Sequence, residues 1–154
     1  MRYEIEIVEM PVQHAAVVTN EAVGAPQMAQ FLGGAFGEVM QLIESQTDVD
    51  IAGAPFARYT VQDTGLFAVE AGFPVTGNIE HVGRVTMIEL PGGPAAQTLH
   101  KGDYDAVADA YQAIERWKRE YGYVAADLPW ESYLDAAEVT QPRTVVCAPI
   151  RRAE

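Results

Sequence analysis

Two stretches of this chain share the pattern Pro-aromatic-x-x-Tyr: PFARY at 55–59 and PWESY at 129–133, 74 positions further on (129 − 55). The second copy carries Glu131 where the first has Ala57. In an extended strand, alternate side chains share a face, so Glu131, Tyr133 and Asp135 point one way and Trp130, Ser132 and Leu134 the other. The matching strand puts Phe56 and Arg58 on one face and Ala57, Tyr59 and Val61 on the other. A carboxylate beside a phenol ring can pair with a positive charge while the ring covers hydrocarbon and attracts the charge through its π-face. Each residue also has an ordinary reading. A strand glutamate is by default solvated, and strand tyrosines are by default packing partners.

The elements that would hold these residues are legible from periodicity. YEIEIVEM (3–10) and HAAVVTNEAV (14–23) read as strands. Over 26–45, Met28, Leu32, Ala35, Val39 and Leu42 recur at helical steps, with Pro26 suited to a first turn. Gly33, Gly34 and Gly37 each weaken that helix by roughly 1 kcal/mol relative to Ala, and the expected gain is close approach to a sheet. FARYTV (56–61), the turn DTG and LFAVEAGFPV (66–75) read as a hairpin. The order then repeats. RVTMIEL (84–90) and AAQTLH (95–100) flank the turn PGGP, a helix is predicted over 103–122, and WESYLDA (130–136) and RTVVCAPI (143–150) follow as strands. Aligning the helices at an offset of 75 pairs Phe36 with Tyr111, Val39 with Ile114 and Leu42 with Trp117. Order, period and offset together point to a duplication, with module one at about 1–77 and module two at about 82–152. Tyr111 and Trp117 fall at helix-core positions and are assigned no ligand role.

Composition bounds the function. The 154 residues are enough for one domain that buries its own core, and 49% apolar with 21% charged residues is a globular balance. No apolar run reaches the ~20 residues of a membrane helix, and MRYEIEIVEM lacks the features of a signal peptide, so a cytoplasmic protein without membrane partners is expected. Net charge is −12, from 22 acidic and 10 basic residues, and such a field repels phosphate backbones, which argues against direct nucleic-acid binding. His14, His81 and His100 have no metal-ligand spacing, and PGG at 91–93 lacks the following GK[ST] of a phosphate loop, so no metal or cofactor is expected. Cys147, in RTVVCAPI, reads as a buried small hydrophobe, and Glu70 as a solvent-facing strand carboxylate.

PFARY, LFAVEAGFPV, RVTMIELPGG, LHKGDYDAVADAYQAIERW and PWESYL, in this order and spacing, resemble the GyrI-like small-molecule-binding domain, also known as the effector-binding domain of AraC- and MerR-type regulators. The resemblance covers almost the whole chain. It implies an α+β fold of two strand-helix-strand-strand modules related by a pseudo-twofold axis, with an antiparallel sheet and a central ligand groove. PFARY and PWESY would then be equivalent strands meeting across that groove. With Trp130 and Phe56 packed beneath the helices, Glu131, Tyr133 and Tyr59 would face the ligand together; Tyr104, at the start of the second helix, would either cap the groove or only pack. A strand-borne glutamate in an aromatic pocket is similar to what regulators of this family use for cationic drugs.

The chain has no segment left over for a DNA-reading helix-turn-helix, so a stand-alone member is expected. The primary expectation is a binding protein for amphipathic, cationic or aromatic small molecules, acting in drug or toxin binding or sensing. Two alternatives stay open. Some stand-alone members of the family look like hydrolases that open strained rings such as cyclopropanoid natural products; Glu131 would then activate water and Tyr133 would donate to the leaving oxygen. The third reading is a protein partner resembling the gyrase inhibitor that names the family.

Overall fold

The computed structural model describes residues 3–80, 83–103, 106–135 and 139–154. The chain is α+β. In order it forms β1 (Glu6–Met10), β2 (Gln13–Val23), a 3-10 turn (Ala25–Gln27) running into α1 (Met28–Glu44), β3 (Asp50–Ile51), β4 (Phe56–Val61), β5 (Phe67–Thr76), β6 (Val85–Leu90), β7 (Gly93–Lys101), α2 (Ala108–Tyr121), β8 (Tyr123–Ala125), β9 (Trp130–Tyr133) and β10 (Arg143–Arg152). Within each of its two units the strands pair antiparallel. The long strands and both helices lie where periodicity predicts them. The two-residue β3 and three-residue β8 are too short to leave a pattern. The second helix begins at Ala108 rather than 103.

The chain packs as two compact units that do not follow chain order. Val12–Leu90 form one; residues 1–11 and 91–154 form the other. Each half of the sequence gives its first strand to the other half's sheet, since β1 pairs with β7 and β6 pairs with β2. Pro11 and Pro91 stand at the two crossings, where a residue without an N–H interrupts the ladder.

In the unit Val12–Leu90 the strand order is β4-β5-β2-β6, with β3 paired to β5. Helix α1 covers β5 and β2 with the buried residues Ala35, Val39 and Ile43, and the Phe36 ring meets that of Phe73 edge-on at 5.9 Å. The glycines of this helix do not serve the close approach expected of them. Gly33, Gly34 and Gly37 lie exposed or nearly so, with nothing within 4 Å of where a side chain would begin, and nothing in the structure explains them. The close approach is at Gly72 on β5 instead, where an added Cβ would lie 1.8 Å from the carbonyl oxygen of Ala16. Glu70, expected to face solvent, is paired with Arg58 across β4 and β5 at 2.7 Å.

In the unit of residues 1–11 and 91–154 the order is β1-β7-β10-β9, with β8 paired to β10. Helix α2 closes over a core of Ala96, Ala110, Ile114, Val146, Ala148 and Ile150, with Tyr111, Trp117 and Tyr123 packed against it. Its last turn carries Lys118 and Arg119, which complement the helix dipole. Gly122 ends it in the left-handed conformation (φ 80°) with its N–H bonded to Lys118 O at 2.9 Å.

Registers in the two units correspond residue by residue. Across β4, β5 and β2 the facing rows are Ala57–Ala71–Val18 and Tyr59–Val69–Asn20. Across β9, β10 and β7 they are Glu131–Val146–Thr98 and Tyr133–Thr144–His100. Among the described residues no helix is long and apolar enough to cross a membrane.

Candidate functional site

Strand β9 is four residues long and is held along one side by β10, with Glu131 opposite Val146 and Tyr133 opposite Thr144. Directly opposed residues of an antiparallel pair share a face, and Val146 belongs to the core beneath α2. Glu131 and Tyr133 therefore point toward the helix. Tyr111 of α2 comes down to meet them: its hydroxyl donates to Glu131 Oε2 at 2.8 Å, and the Tyr133 hydroxyl donates to Glu131 Oε1 at 3.0 Å.

This reverses the expected sidedness. Trp130 and Phe56 were expected beneath the helices, with Glu131, Tyr133 and Tyr59 on the opposite face. Trp130 lies opposite Cys147 and Phe56 opposite Gly72, both on the sheet faces turned away from the helices. Alternation sorts the residues correctly, but choosing the helix side by size fails because both faces of β9 are buried: Trp130 is 3% exposed and Glu131 5%. Asp135 was grouped with Glu131 by the same alternation. It lies beyond the end of β9, where it accepts from Arg143 Nε at 2.8 Å and Nη2 at 3.1 Å, and that guanidinium holds its carboxyl below the usual carboxylate range.

The electrostatics of Glu131 follow from this setting. Burial raises its pKa above the ordinary carboxylate value, against the lowering effect of the Tyr111 and Tyr133 hydrogen bonds and of nearby His100. Among the described residues none of the Lys or Arg ion pairs includes Glu131. A carboxylate buried with hydroxyl donors and outside any ion pair with the described Lys and Arg residues is costly when ionised, and such groups concentrate at functional sites.

His100 occupies the same face two strands away, in the row Tyr133–Thr144–His100. It is 2% exposed, and both ring nitrogens are engaged: Nε2 lies 2.9 Å from the Asp103 carbonyl oxygen and Nδ1 2.8 Å from the Tyr3 hydroxyl. A carbonyl only accepts, so Nε2 carries a hydrogen. Thr144, between Tyr133 and His100, is fully buried, and among the described residues its hydroxyl oxygen has no hydrogen-bond partner.

Of the residues singled out in the sequence, Glu131 and Tyr133 are in contact. Tyr59 lies on β4 in the other unit, at the register position matching Tyr133, with its ring edge-on to Phe67 at 6.3 Å. Tyr104 and His81 lie outside the described residues. Tyr111, His100 and Thr144 were not recognised as site residues, and Tyr111 is the most consequential omission. Its aligned partner is Phe36, just as the partner of Glu131 is Ala57, so an apolar pair in one unit is replaced by a hydrogen-bonded pair in the other. Cys147 is buried on the far face, its thiol pushed up to about 12 by desolvation. Among the described residues no group of three or more His, Cys, Asp or Glu side chains is gathered to hold a metal ion.

Comparison with known proteins places this arrangement. Residues 3–151 match the model of the GyrI-like small molecule binding domain. No curated protein matches the sequence. The crystal structure of the EcmrR C-terminal domain superposes with a TM-score of 0.83 at 17% identity, covering 99% of this chain and 100% of that domain. In the EcmrR–DNA complex the TM-score is 0.84 at 18% identity, and this chain, 98% covered, spans 58% of the EcmrR chain. SAV2435 bound to tetraphenylphosphonium gives 0.60 at 16% identity, covering 98% of this chain and 94% of that one. A hydrolase from Listeria innocua gives 0.65 at 11% identity, with 96% and 92% covered. At these identities the likeness is one of fold.

Proposed function

The chain belongs to the GyrI-like small-molecule-binding domain family, and from that premise we propose that it binds amphipathic organic cations at Glu131. The observation that carries this reading is the buried carboxylate: 5% exposed, bonded by two tyrosine hydroxyls and, among the described residues, in no Lys or Arg ion pair. A ligand cation supplies the missing charge. The rings of Tyr111 and Tyr133 supply surface for its hydrocarbon and quadrupoles for its charge. A carboxylate has about four lone-pair sites, and the tyrosines take two, so a cation can approach without displacing either hydroxyl. SAV2435, similar in fold, is bound to such a cation, tetraphenylphosphonium.

We also read the matched registers as the mark of a duplicated strand-helix-strand-strand module. The Ala57 copy lost the carboxylate or never acquired it, so one charged site per chain is expected. The hydrolase reading gains less support, because Tyr133 donates to Glu131 itself rather than outward.

The test is calorimetric titration with methyltriphenylphosphonium at neutral pH. Saturable binding of one equivalent per chain supports the reading. No heat attributable to binding up to millimolar concentration overturns it.

A further inference from the structure

The hydroxyl of Thr144 is an anomaly. A buried polar atom without a partner costs about 1–3 kcal/mol and asks for a reason. Among the described residues its neighbours provide none. His100 has both nitrogens occupied by Asp103 and Tyr3. Thr98, in the adjacent row on β7, donates its own hydroxyl to Glu4 O at 2.7 Å. The Tyr133 hydroxyl, from the residue directly opposite Thr144, donates to Glu131.

What these groups offer in common is acceptor capacity. The two Glu131 oxygens each have a lone pair beyond the one used by a tyrosine. Thr144 Oγ1 adds one more acceptor on the same face of the sheet, opposite Tyr133 and diagonal to Glu131. A site made only to attract charge needs the carboxylate and rings; it has no use for an extra acceptor. A primary ammonium group, with three N–H donors on one charge, uses all of it. A quaternary ammonium or phosphonium has no donor to give.

We propose that this site selects primary ammonium ligands over quaternary cations, and that Thr144 is the residue that sets the preference. The proposal rests on the cation-binding reading above and narrows it: lipophilic amines with a free –NH3+ are the preferred ligand class, and permanently charged cations are weaker ones.

The experiment compares biphenyl-4-ylmethylammonium with biphenyl-4-ylmethyl(trimethyl)ammonium, both cationic at pH 7.5, by calorimetry on wild type, Thr144→Val, Thr144→Ser and Glu131→Gln. The two ligands differ in size and hydration, but those differences are the same for every protein and cancel when preferences are compared. Thr144→Val keeps the β-branched shape and removes no hydrogen bond of the free protein, so its unfolding midpoint should not fall. The expected result is a wild-type preference for the primary ammonium that drops about tenfold in Thr144→Val, the worth of one hydrogen bond to a charged donor. Thr144→Ser should keep the preference, and Glu131→Gln should weaken both ligands. Equal affinities in wild type, or a preference that survives Thr144→Val, overturns the role of Thr144 while leaving the cation site standing. Failure of both ligands to bind wild type, or indifference of both to Glu131→Gln, overturns the cation site and this proposal with it.

Discussion

Tyr111 and Glu131 are joined by a hydrogen bond of 2.8 Å that ties the first turn of α2 to the strand β9 beneath it. The bond makes the helix part of the site: any ligand that reaches Glu131 meets a carboxylate already oriented from above by Tyr111 and from its own strand by Tyr133. It also sets the cost of losing either phenol. Tyr111→Phe or Tyr133→Phe leaves a buried carboxylate oxygen short of a donor, a loss of about 1–3 kcal/mol each. Urea unfolding at neutral pH should show that loss for both variants. A Tyr111→Phe protein as stable as wild type would mean that the bond contributes nothing in solution.

The pH dependence follows from the raised pKa of Glu131, whose first cause is burial. A group that holds its proton more tightly folded than unfolded contributes stability below its ordinary value and loses it as pH rises through the folded value. Glu131→Gln should therefore match wild type in acid and become the more stable protein as pH rises from the ordinary carboxylate range upward. Cation affinity must move the other way in wild type, strengthening over the same window as the carboxylate ionises. Parallel stability curves for the two proteins from pH 4 to pH 8 would contradict this.

The matched registers predict a coupled pair in the other unit. Ala57 is fully buried at the position of Glu131, so Ala57→Glu alone should cost about 3–5 kcal/mol as an unpaired buried charge. Adding Phe36→Tyr should recover 1 kcal/mol or more, roughly the coupling expected of residues in contact. Additive effects in the four-protein cycle would show that Phe36 and Ala57 do not correspond to Tyr111 and Glu131.

The glycines of α1 give a prediction of opposite sign at neighbouring sites. Gly33→Ala and Gly37→Ala add a methyl into open space and should each stabilise by about 0.5–1 kcal/mol. Gly72→Ala drives a Cβ into the Ala16 carbonyl and should destabilise strongly. Thermal midpoints would decide both, and a neutral Gly72→Ala would show that β2 and β5 separate easily.

The long elements were legible because their periods are clean: FARYTV is β4 as read, and the step pattern of 26–45 lies within one turn of α1. Glu131 and Tyr133 were legible because two copies of one pattern share the tyrosine and differ in gaining a carboxylate where Ala57 stands. The side they face was not, since Trp130 and Glu131 are both buried and size alone does not say which packs under a helix. Tyr111 could have been found by reading the copies together: Phe36 becomes Tyr111 where Ala57 becomes Glu131, a hydroxyl gained where a carboxylate is gained. Thr144 and His100 left no local signal. They join Tyr133 only through the register of three strands, and register is a tertiary property. The exchange of β1 and β6 was hidden for the same reason.

The central claim is that Glu131 reads charge, and the most direct measurement compares methyltriphenylphosphonium with triphenylphosphine oxide, of similar shape but neutral, on wild type and Glu131→Gln. The account predicts that Glu131→Gln weakens the cation by about 2 kcal/mol, roughly 30-fold, and leaves the neutral ligand nearly unchanged. Equal losses for the two ligands, or no loss for the cation, would contradict it.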